Sequence, residues 1–275
     1  MRYDLHSHSS YSDGLLSPQA LLTKAIENEV QVLALTDHDT IAGLSSLHAA
    51  AQGLPIRIID GIEFSVRFKT MDIHIIGLNI DRHDSNLQAL ITQQEQSRIV
   101  RAQEIGERLA LIKVKDAYQK VVDKVGHACV GRPHFAKLLV EEGLALDMQQ
   151  AFKRYLVRGR IAYVPTEWLD IDAAVRGIVQ AKGCAVIAHP FKYSLTRTKL
   201  HALINQFKLA GGQGLEVVSG MMTPALILDA AGLCKRFELY ASSGSDYHGE
   251  GLSRVGLGRQ QQLPDSCTPI WHNWT

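Results

Sequence analysis

Cysteine is scarce in this 275-residue sequence, and no two cysteines lie close together. The four that occur are widely spaced, at Cys129, Cys184, Cys234 and Cys267. Because no CxxC pair is present, the sequence argues against a structural zinc site built from thiolates. We expect these residues to be free thiols of a cytoplasmic protein.

Excess charge and long apolar runs are also lacking. The formal net charge is +1, so the chain has no bulk positive field with which to coat long nucleic acid. A small anionic substrate held by a few local cations is compatible with that balance. No apolar run approaches the roughly 20 residues of a membrane span. The N-terminus enters a strand pattern directly, without the features of a signal peptide. We therefore expect a cytoplasmic protein that binds no membrane, and no obligate protein partner is indicated.

Histidine, by contrast, is frequent, with twelve in the chain. His6 and His8 follow a short strand pattern at residues 3–5. Because strand side chains alternate between the two faces, these two imidazoles point the same way and can bind one metal ion together. Asp13, one turn later, adds a carboxylate oxygen. This pair of histidines is weak evidence alone and needs further ligands from the rest of the chain.

Further residues of the same kind accompany the other apolar runs. Apolar runs of about 4–8 residues bounded by polar or Gly/Pro residues are typical of buried strands. Nearly every such run here ends at a His, Asp or Glu, except that His74 stands at the start of its run. Nine positions result: His6, His8, Asp13, His38, Glu63, His74, His189, Asp246 and His248.

Mixed imidazole and carboxylate ligands suit borderline divalent metals. Nine ligands exceed what one ion of coordination number four to six requires. We therefore expect two or three divalent ions with at least one bridging carboxylate. Mn²⁺ is the expected ion, with Fe²⁺ or Zn²⁺ as alternatives.

The chain divides into two kinds of pattern. Residues 1–90 and 171–275 alternate strands with helices, which predicts an α/β fold with a mostly parallel sheet. Residues 91–170 show helical patterns and many basic side chains but no strand, so we predict a small all-helical insertion that contributes to substrate binding. Seven strands in βα order favour a barrel, in which the carboxyl ends of the strands converge on one face. That convergence would bring the nine residues together.

These motifs resemble a known family. The order HxH, TDHD, GxE, a later His, AHP and GSDxH is similar to that of the polymerase and histidinol phosphatase (PHP) superfamily of metal-dependent phosphoesterases. The resemblance covers the chain outside the insertion and implies a distorted (β/α)7 barrel with two or three metals. It implies three ligand sets, with Glu63 bridging the first two: His6, His8, Glu63 and Asp246; Glu63, His74 and His189; Asp13, His38 and His248. Family members often have His at the position of Asp13.

Several segments, among them GRPHFAKLLVEEG and IAHPFKY, are similar to one branch of this family. That branch comprises 3′,5′-nucleotide bisphosphatases, also described as 5′→3′ exoribonucleases acting on short RNA. The resemblance implies a nucleoside 3′,5′-bisphosphate substrate, a nucleoside 5′-monophosphate product and short RNA as a further substrate. Arg132 and His134 would contact the second, non-reacting phosphate, and Glu63 would be catalytic through the metals. Asp39 or a metal-bound water would protonate the leaving oxygen.

Some roles stay open at this point. Of Asp37 and Asp39, one would orient a histidine and the other would cap a turn. Glu216 would either support a ligand or face a polar barrel interior. The remaining histidines would be surface or core residues: His48, His83, His127, His201 and His272. Two rival functions are another phosphomonoesterase of the superfamily, acting on a substrate such as histidinol phosphate, and a non-catalytic metal-binding interaction module.

Overall fold

A mixed sheet that curls into a nearly closed barrel forms the centre of the computed structural model. The model describes residues 1–126 and 129–274, so His127 lies outside the described residues. Its strands are β1 (Tyr3–Asp4), β2 (Val32–Leu35), β3 (Arg57–Phe68), β4 (Met71–Leu78), β5 (Leu169–Asp170), β6 (Cys184–Ile187), β7 (Gly214–Ser219) and β8 (Tyr240–Gly244). The hydrogen-bonded order is β1-β2-β3-β4-β6-β7-β8, with the short β5 beside β3.

The first and last strands of this path meet. The backbone N–H of Leu5 donates to the carbonyl of Ser243 at 3.1 Å, and that of Asp246 donates to the carbonyl of His6 at 2.9 Å. These bonds join the ends of β1 and β8, so the predicted α/β barrel is confirmed.

The strand β4 runs antiparallel to both of its neighbours, whereas the sequence pattern predicted a mostly parallel order. Only residues 69 and 70 separate β3 from β4. A connection this short can join only antiparallel strands, since a parallel crossover needs a dozen or more residues. The reversal explains why His74 stands at the start of its strand, because the start of β4 lies at the same end of the barrel as the carboxyl ends of the parallel strands.

Helices surround the barrel and build the insertion. They are α1 (Pro18–Glu27), α2 (Leu44–Ala51), α3 (Ser85–Ala110), α4 (Ala117–Val125), α5 (Arg132–Glu141), α6 (Met148–Ala151), α7 (Ile171–Gln180), α8 (Arg197–Leu209) and α9 (Pro224–Phe237). Among the described residues, no helix is both long and apolar enough to cross a membrane.

The long helix α3 connects the barrel to the insertion. Its first half buries Leu87 and Ile91 in the barrel core. Its second half buries Ala102, Ile105 and Leu109 in a separate core shared with α4 and α5. The predicted boundary between residues 90 and 91 therefore falls inside α3. This single helix packs against the barrel with its first half and belongs to the insertion with its second half.

Candidate metal centre

All nine predicted ligands lie together at one end of the barrel. His6, His8 and Asp13 follow β1, and His38 follows β2. The other five are supplied by the strands that complete the ring: Glu63 in β3, His74 in β4, His189 after β6, and Asp246 and His248 after β8. Glu63 is fully buried within β3, which continues past it as a hairpin with β4. The barrel therefore collects residues that are far apart in the sequence.

Four of these side chains, those of His6, His8, Glu63 and Asp246, lie close together. Nε2 of His6 lies 3.4 Å from Oε1 of Glu63 and 3.3 Å from Oδ1 of Asp246. Nε2 of His8 lies 3.4 Å from Oε2 of Glu63 and 3.3 Å from the same Asp246 oxygen. Ligands of a tetrahedral ion, with bonds of about 2.0–2.1 Å, lie about 3.3–3.4 Å from one another. These five atoms, among them both oxygens of Glu63, thus have the spacing of neighbouring ligands, and His6, His8 and Asp246 offer atoms that all lie within 4.8 Å of one another.

Glu63 also contacts a second pair of histidines. Its Oε1 lies 2.9 Å from Nδ1 of His74 and 3.0 Å from Nε2 of His189. One carboxylate therefore faces both groups of imidazoles, as a bridging ligand would.

Asp13 lies at the centre of a third group. Its Oδ1 lies 3.3 Å from Nε2 of His248, and its Oδ2 lies 3.8 Å from Nε2 of His38. Ligand atoms of these three residues and of His8 all lie within 4.8 Å of one another. The ring of His38 also reaches Glu63, with 2.9 Å between Nδ1 and Oε2. The three groups therefore form one continuous cluster.

Several polar atoms of the cluster are buried and have no hydrogen-bond partner in the part of the chain that the structure describes. These atoms are Nε2 of His6, both ring nitrogens of His8, Nδ1 of His38, Oε2 of Glu63 and Nδ1 of His189. Buried polar atoms in proteins are nearly always hydrogen-bonded, so an unpartnered set needs an explanation. Metal coordination supplies one, and the donor set of imidazoles and carboxylates suits divalent ions.

The carboxylates of the cluster stay ionised. Burial alone would raise the pKa of Glu63, but the charges of His38, His74 and His6 hold it well below the ordinary value. Burial likewise opposes ionisation of Asp13, yet His248 and His38 keep its pKa well below normal. Both carboxylates therefore present negative oxygen to a cation.

Two further buried carboxylates, those of Glu216 and Asp37, form hydrogen bonds that position the candidate ligands. Nδ1 of His6 donates to Oε1 of Glu216 at 2.9 Å, and the backbone N–H of His189 donates to Oε2 at 2.6 Å. The sequence left two interpretations of Glu216, and these contacts support the one in which it orients metal ligands. Asp37 accepts hydrogen bonds from Ser9 and Ser12 and so fixes the loop that carries Asp13.

Asp39 lies apart from these contacts, fully buried under α3. Its Oδ1 accepts from the N–H of Ser65 at 2.7 Å and from Nε2 of Gln94 at 2.8 Å. Its Oδ2 accepts from Nε of Arg98 at 2.7 Å. These bonds occupy both oxygens of the carboxylate, which favours a role in positioning over the proposed role as proton donor.

The insertion contributes a group of buried and half-buried basic residues near the cluster. Arg132 and His134 lie in the first turn of α5, where Nδ1 of His134 accepts the N–H of Gly131 at 2.9 Å. Burial lowers the pKa of His134, and the carboxylate of Asp13 acts in the opposite direction. The imidazole therefore lies near the Asp13 side of the cluster.

Arg101 of α3 is a member of this group that the sequence pattern did not single out. The residue is 6% exposed, and its Nε and Nη2 have no hydrogen-bond partner within the described ranges. Burial, followed by the charges of Arg132 and Arg98, lowers its pKa to about 9. Within residues 1–126 and 129–274, neither Arg101 nor Arg132 forms an ion pair, whereas Arg98 is neutralised by Asp39. The carboxylate of Asp72 acts on both arginines but is itself paired with Arg67, so this group keeps an excess of positive charge that favours an anion.

Comparison with known proteins supports the motif resemblance. The model of the PHP domain matches residues 4–206. A 5′-3′ exoribonuclease of Haemophilus influenzae is 40% identical over 273 residues, covering 99% of each chain. A 3′,5′-nucleoside bisphosphate phosphatase of Chromobacterium violaceum is 38% identical over 269 residues, covering 98% of this chain and 94% of that protein.

A solved structure agrees with the fold. The structure of an amidohydrolase from Chromobacterium violaceum with bound sulfate superimposes with a TM-score of 0.92 at 38% identity. The match covers 98% of this chain and 95% of that one. Since the family model spans more than half of the sequence and these relatives match nearly all of it, the chain belongs to the PHP domain family.

Proposed function

We propose that this chain is a metal-dependent phosphohydrolase that removes the 3′-phosphate from nucleoside 3′,5′-bisphosphates and also trims short 5′-phosphorylated RNA. One observation carries the proposal: the cluster of imidazoles and carboxylates lies next to the start of α5, where the half-buried Arg132 and the buried Arg101 form no ion pair among the described residues. A substrate with one phosphate at the metals and another at the arginines would satisfy both. The names of the relatives from Haemophilus influenzae and Chromobacterium violaceum agree with this substrate class.

The metal ligands would act in three sets. His6, His8, Glu63 and Asp246 would hold one ion, and Glu63 would share a second with His74 and His189. The third set is Asp13, His38 and His248. Ions at these sites, with Mn²⁺ as the proposed metal, would polarise the reacting phosphate and supply a nucleophile near neutral pH by lowering the pKa of water.

The second phosphate would bind to the insertion. Arg132 and Arg101 offer guanidinium donors, which pair with phosphate oxygens in a bidentate manner. His134 would add a further donor from the same turn of α5. The 5′-phosphate would then stabilise the charges of Arg132 and Arg101 and position the 3′-phosphate at the cluster.

The two proposed activities share one reaction. In both, water attacks the phosphorus, the bond to the 3′-oxygen of the first nucleotide breaks, and that oxygen takes up a proton. A bisphosphate then yields inorganic phosphate and a nucleoside 5′-monophosphate. An RNA yields the same monophosphate and a shortened chain that keeps the phosphate on its new 5′ end.

A comparison of substrates tests the proposal. Purified protein with Mn²⁺ should release phosphate from adenosine 3′,5′-bisphosphate at least about 100-fold faster than from adenosine 5′-monophosphate or histidinol phosphate, because only the bisphosphate fills both sites. Equal rates on all three would contradict the two-phosphate site. Preference for histidinol phosphate would support the rival phosphatase, and no hydrolysis of any phosphoester would support a non-catalytic module.

Two substitutions separate the parts of the site. Glu63→Ala should lose both bound metal and activity, since Glu63 contacts two of the three ligand groups. Arg132→Ala should keep its metal content and raise KM for the bisphosphate by about 10–100-fold, as expected for losing a charged hydrogen bond. Arg158→Ala, at an exposed arginine of the same insertion, is the matched control. Wild-type kinetics of Arg132→Ala would contradict the assignment of the second phosphate.

A further inference from the structure

A second pocket adjoins the metal cluster on the side formed by β7 and β8. It has a volume of about 350 Å³, within the range of about 300–1,000 Å³ typical of ligand sites. Its walls come from the end of β7 and the segments that follow β6, β7 and β8, and they include Lys192, Ser219, Met221, Leu252 and Arg254. We call it the downstream pocket. No residue of the insertion lines it, so it is separate from Arg101 and Arg132.

The downstream pocket opens directly onto the reacting centre. Two of its walls, Asp246 and His248, belong to the cluster of candidate metal ligands. Nζ of Lys192, another wall residue, donates to Oδ2 of Asp246. A phosphate held at the cluster would therefore have one face toward the insertion and another toward this pocket.

The lining of the downstream pocket matches a nucleotide. Arg254 is exposed and makes no hydrogen bond or ion pair with any residue that the structure describes. The hydroxyl of Ser219 is buried, with 4% of the residue exposed, and has no hydrogen-bond partner among the described residues. Met221 and Leu252 are 71% and 43% exposed and give the pocket an apolar wall. A cation, an unsatisfied hydroxyl and an apolar surface together suit a phosphate, a sugar and a base.

A bisphosphate has no group to place there. In that substrate the reacting 3′-phosphate carries only oxygens beyond the phosphorus, and its nucleoside and 5′-phosphate extend toward the insertion. In an RNA the reacting phosphate is esterified to the next nucleotide, which must extend away from the first. The downstream pocket adjoins the cluster through Asp246 and His248, and its described lining includes no residue of the insertion.

We propose that the downstream pocket binds the nucleotide that follows the scissile phosphate in a 5′-phosphorylated RNA, and that Arg254 pairs with the next phosphate of that chain. This inference rests on the proposed function and adds a specificity site to it. Arg254 then distinguishes a phosphodiester substrate from a phosphomonoester, because only the diester carries a group that reaches this guanidinium.

Substrate-dependent kinetics of Arg254→Ala test the inference. We expect kcat/KM for a 5′-phosphorylated RNA trinucleotide to fall about tenfold or more, as for the loss of a charged contact to phosphate. For adenosine 3′,5′-bisphosphate the change should stay below about threefold. Arg176→Ala, which removes an exposed arginine from α7, is the matched control and should leave both values at wild type. A melting temperature equal to that of the wild type shows that the variant is folded.

The other outcomes overturn the inference. An equal loss on both substrates would mean that Arg254 serves the reacting phosphate or the fold, and no loss on either would mean that the pocket does not hold RNA. If the wild type hydrolyses the bisphosphate but not the trinucleotide, the downstream pocket is refuted while the phosphatase function stands. If the wild type hydrolyses neither substrate, the proposed function itself fails.

Discussion

The guanidinium of Arg98 in α3 is paired with the carboxylate of Asp39 in the interior of the protein. Nε of Arg98 lies 2.7 Å from Oδ2 of Asp39, and their side chains are 8% and 0% exposed. The backbone N–H of Asp39 in turn donates to the carbonyl of Glu63 at 2.9 Å. This pair therefore ties the insertion helix to the strand that carries the central carboxylate of the cluster.

Replacing Asp39 by Asn should mainly lower stability. Asn tolerates the left-handed backbone of this position, where φ is +54°, and can still accept from Ser65. It leaves the buried charge of Arg98 without a counter-charge, which costs about 3–5 kcal/mol. We expect a loss of this size in the free energy of urea unfolding. Adding Arg98→Met to Asp39→Asn should restore part of that loss.

The same variant distinguishes positioning from proton donation. A proton donor matters for a sugar hydroxyl leaving group and little for p-nitrophenolate, which leaves without a proton. If Asp39 positions Glu63, any loss of kcat should be similar for adenosine 3′,5′-bisphosphate and p-nitrophenyl phosphate. A loss of about 100-fold confined to the bisphosphate, with wild-type stability, would instead support Asp39 as the acid.

The buried guanidinium of Arg101 should lower the stability of the folded protein while it supports substrate binding. Replacing a buried ion pair by apolar side chains is often neutral or stabilising by about 1–4 kcal/mol, and a buried charge outside an ion pair lacks even the attraction that offsets its desolvation. Its guanidinium lies 5.1 Å from the ring centre of Trp168, and losing that cation–π contact offsets about 0.5–1 kcal/mol. We therefore expect Arg101→Met to unfold at a higher temperature and to show a KM for the bisphosphate about tenfold above wild type.

The exposed arginines of the insertion supply the control for Arg101. Arg158→Met changes the same side chain at an exposed position and should alter neither the melting temperature nor KM. Should Arg101→Met lose stability and retain its KM, the guanidinium would be a packing element and not part of an anion site.

The contrast between Glu63 and Arg101 shows what could be predicted from the sequence. Glu63 and the other eight candidate ligands each accompany an apolar run, so a strand pattern and a barrel are enough to bring them together. Arg101 lies in a long amphipathic helix beside Arg98 and Arg108, and nothing in that pattern tells a buried arginine from an exposed one. Its environment depends on the ring of Trp168 and on the position of Arg132 in α5, which are tertiary properties.

The direction of β4 and the contacts of Asp39 escaped the sequence pattern for different reasons. The two-residue connection between β3 and β4 was a sufficient signal for a hairpin, so His74 could have been assigned to an antiparallel strand. Asp39 gave no such signal, because its partners Gln94 and Arg98 are more than 50 residues away along the chain. Only the packing of α3 on β3 reveals that both carboxylate oxygens are occupied.

Glu216 should control the affinity of the first metal site. Because a carboxylate only accepts, Nδ1 of His6 carries the proton and leaves the lone pair of Nε2 directed at the cluster. In Glu216→Gln one of the two oxygens becomes an NH₂ group, so either His6 or the N–H of His189 loses its acceptor. Loss of such a supporting partner typically lowers metal affinity by 10–100-fold.

Metal is first removed from the protein with a chelator. Calorimetric titration of this metal-free protein with Mn²⁺ then measures the change in affinity. The control is Glu238→Gln, at a side chain that is 89% exposed, which should bind metal as the wild type does. Unchanged Mn²⁺ affinity in Glu216→Gln would show that the hydrogen bond to His6 does not tune the ligand.

Gly244 should be required for the position of His6. A Cβ at residue 244 would lie 2.3 Å from Cβ of His6 and 2.7 Å from its backbone nitrogen. Atoms cannot approach this closely, so Gly244→Ala must push β8 away from the segment that carries His6 and His8. We expect a loss of stability of about 1–3 kcal/mol, as for other overpacked sites, together with a lower metal content by mass spectrometry.

Gly232 provides the matched substitution for Gly244. It lies within α9, and a Cβ there would meet nothing within 4 Å. Gly232→Ala should therefore raise stability by up to about 1 kcal/mol, the difference in helix propensity between the two residues, and leave metal content unchanged. If Gly244→Ala behaved like Gly232→Ala, with full metal content and no loss of stability, the junction of β1 and β8 would be loose enough to absorb a methyl group. The close packing of this junction would then not be what holds His6 in the cluster.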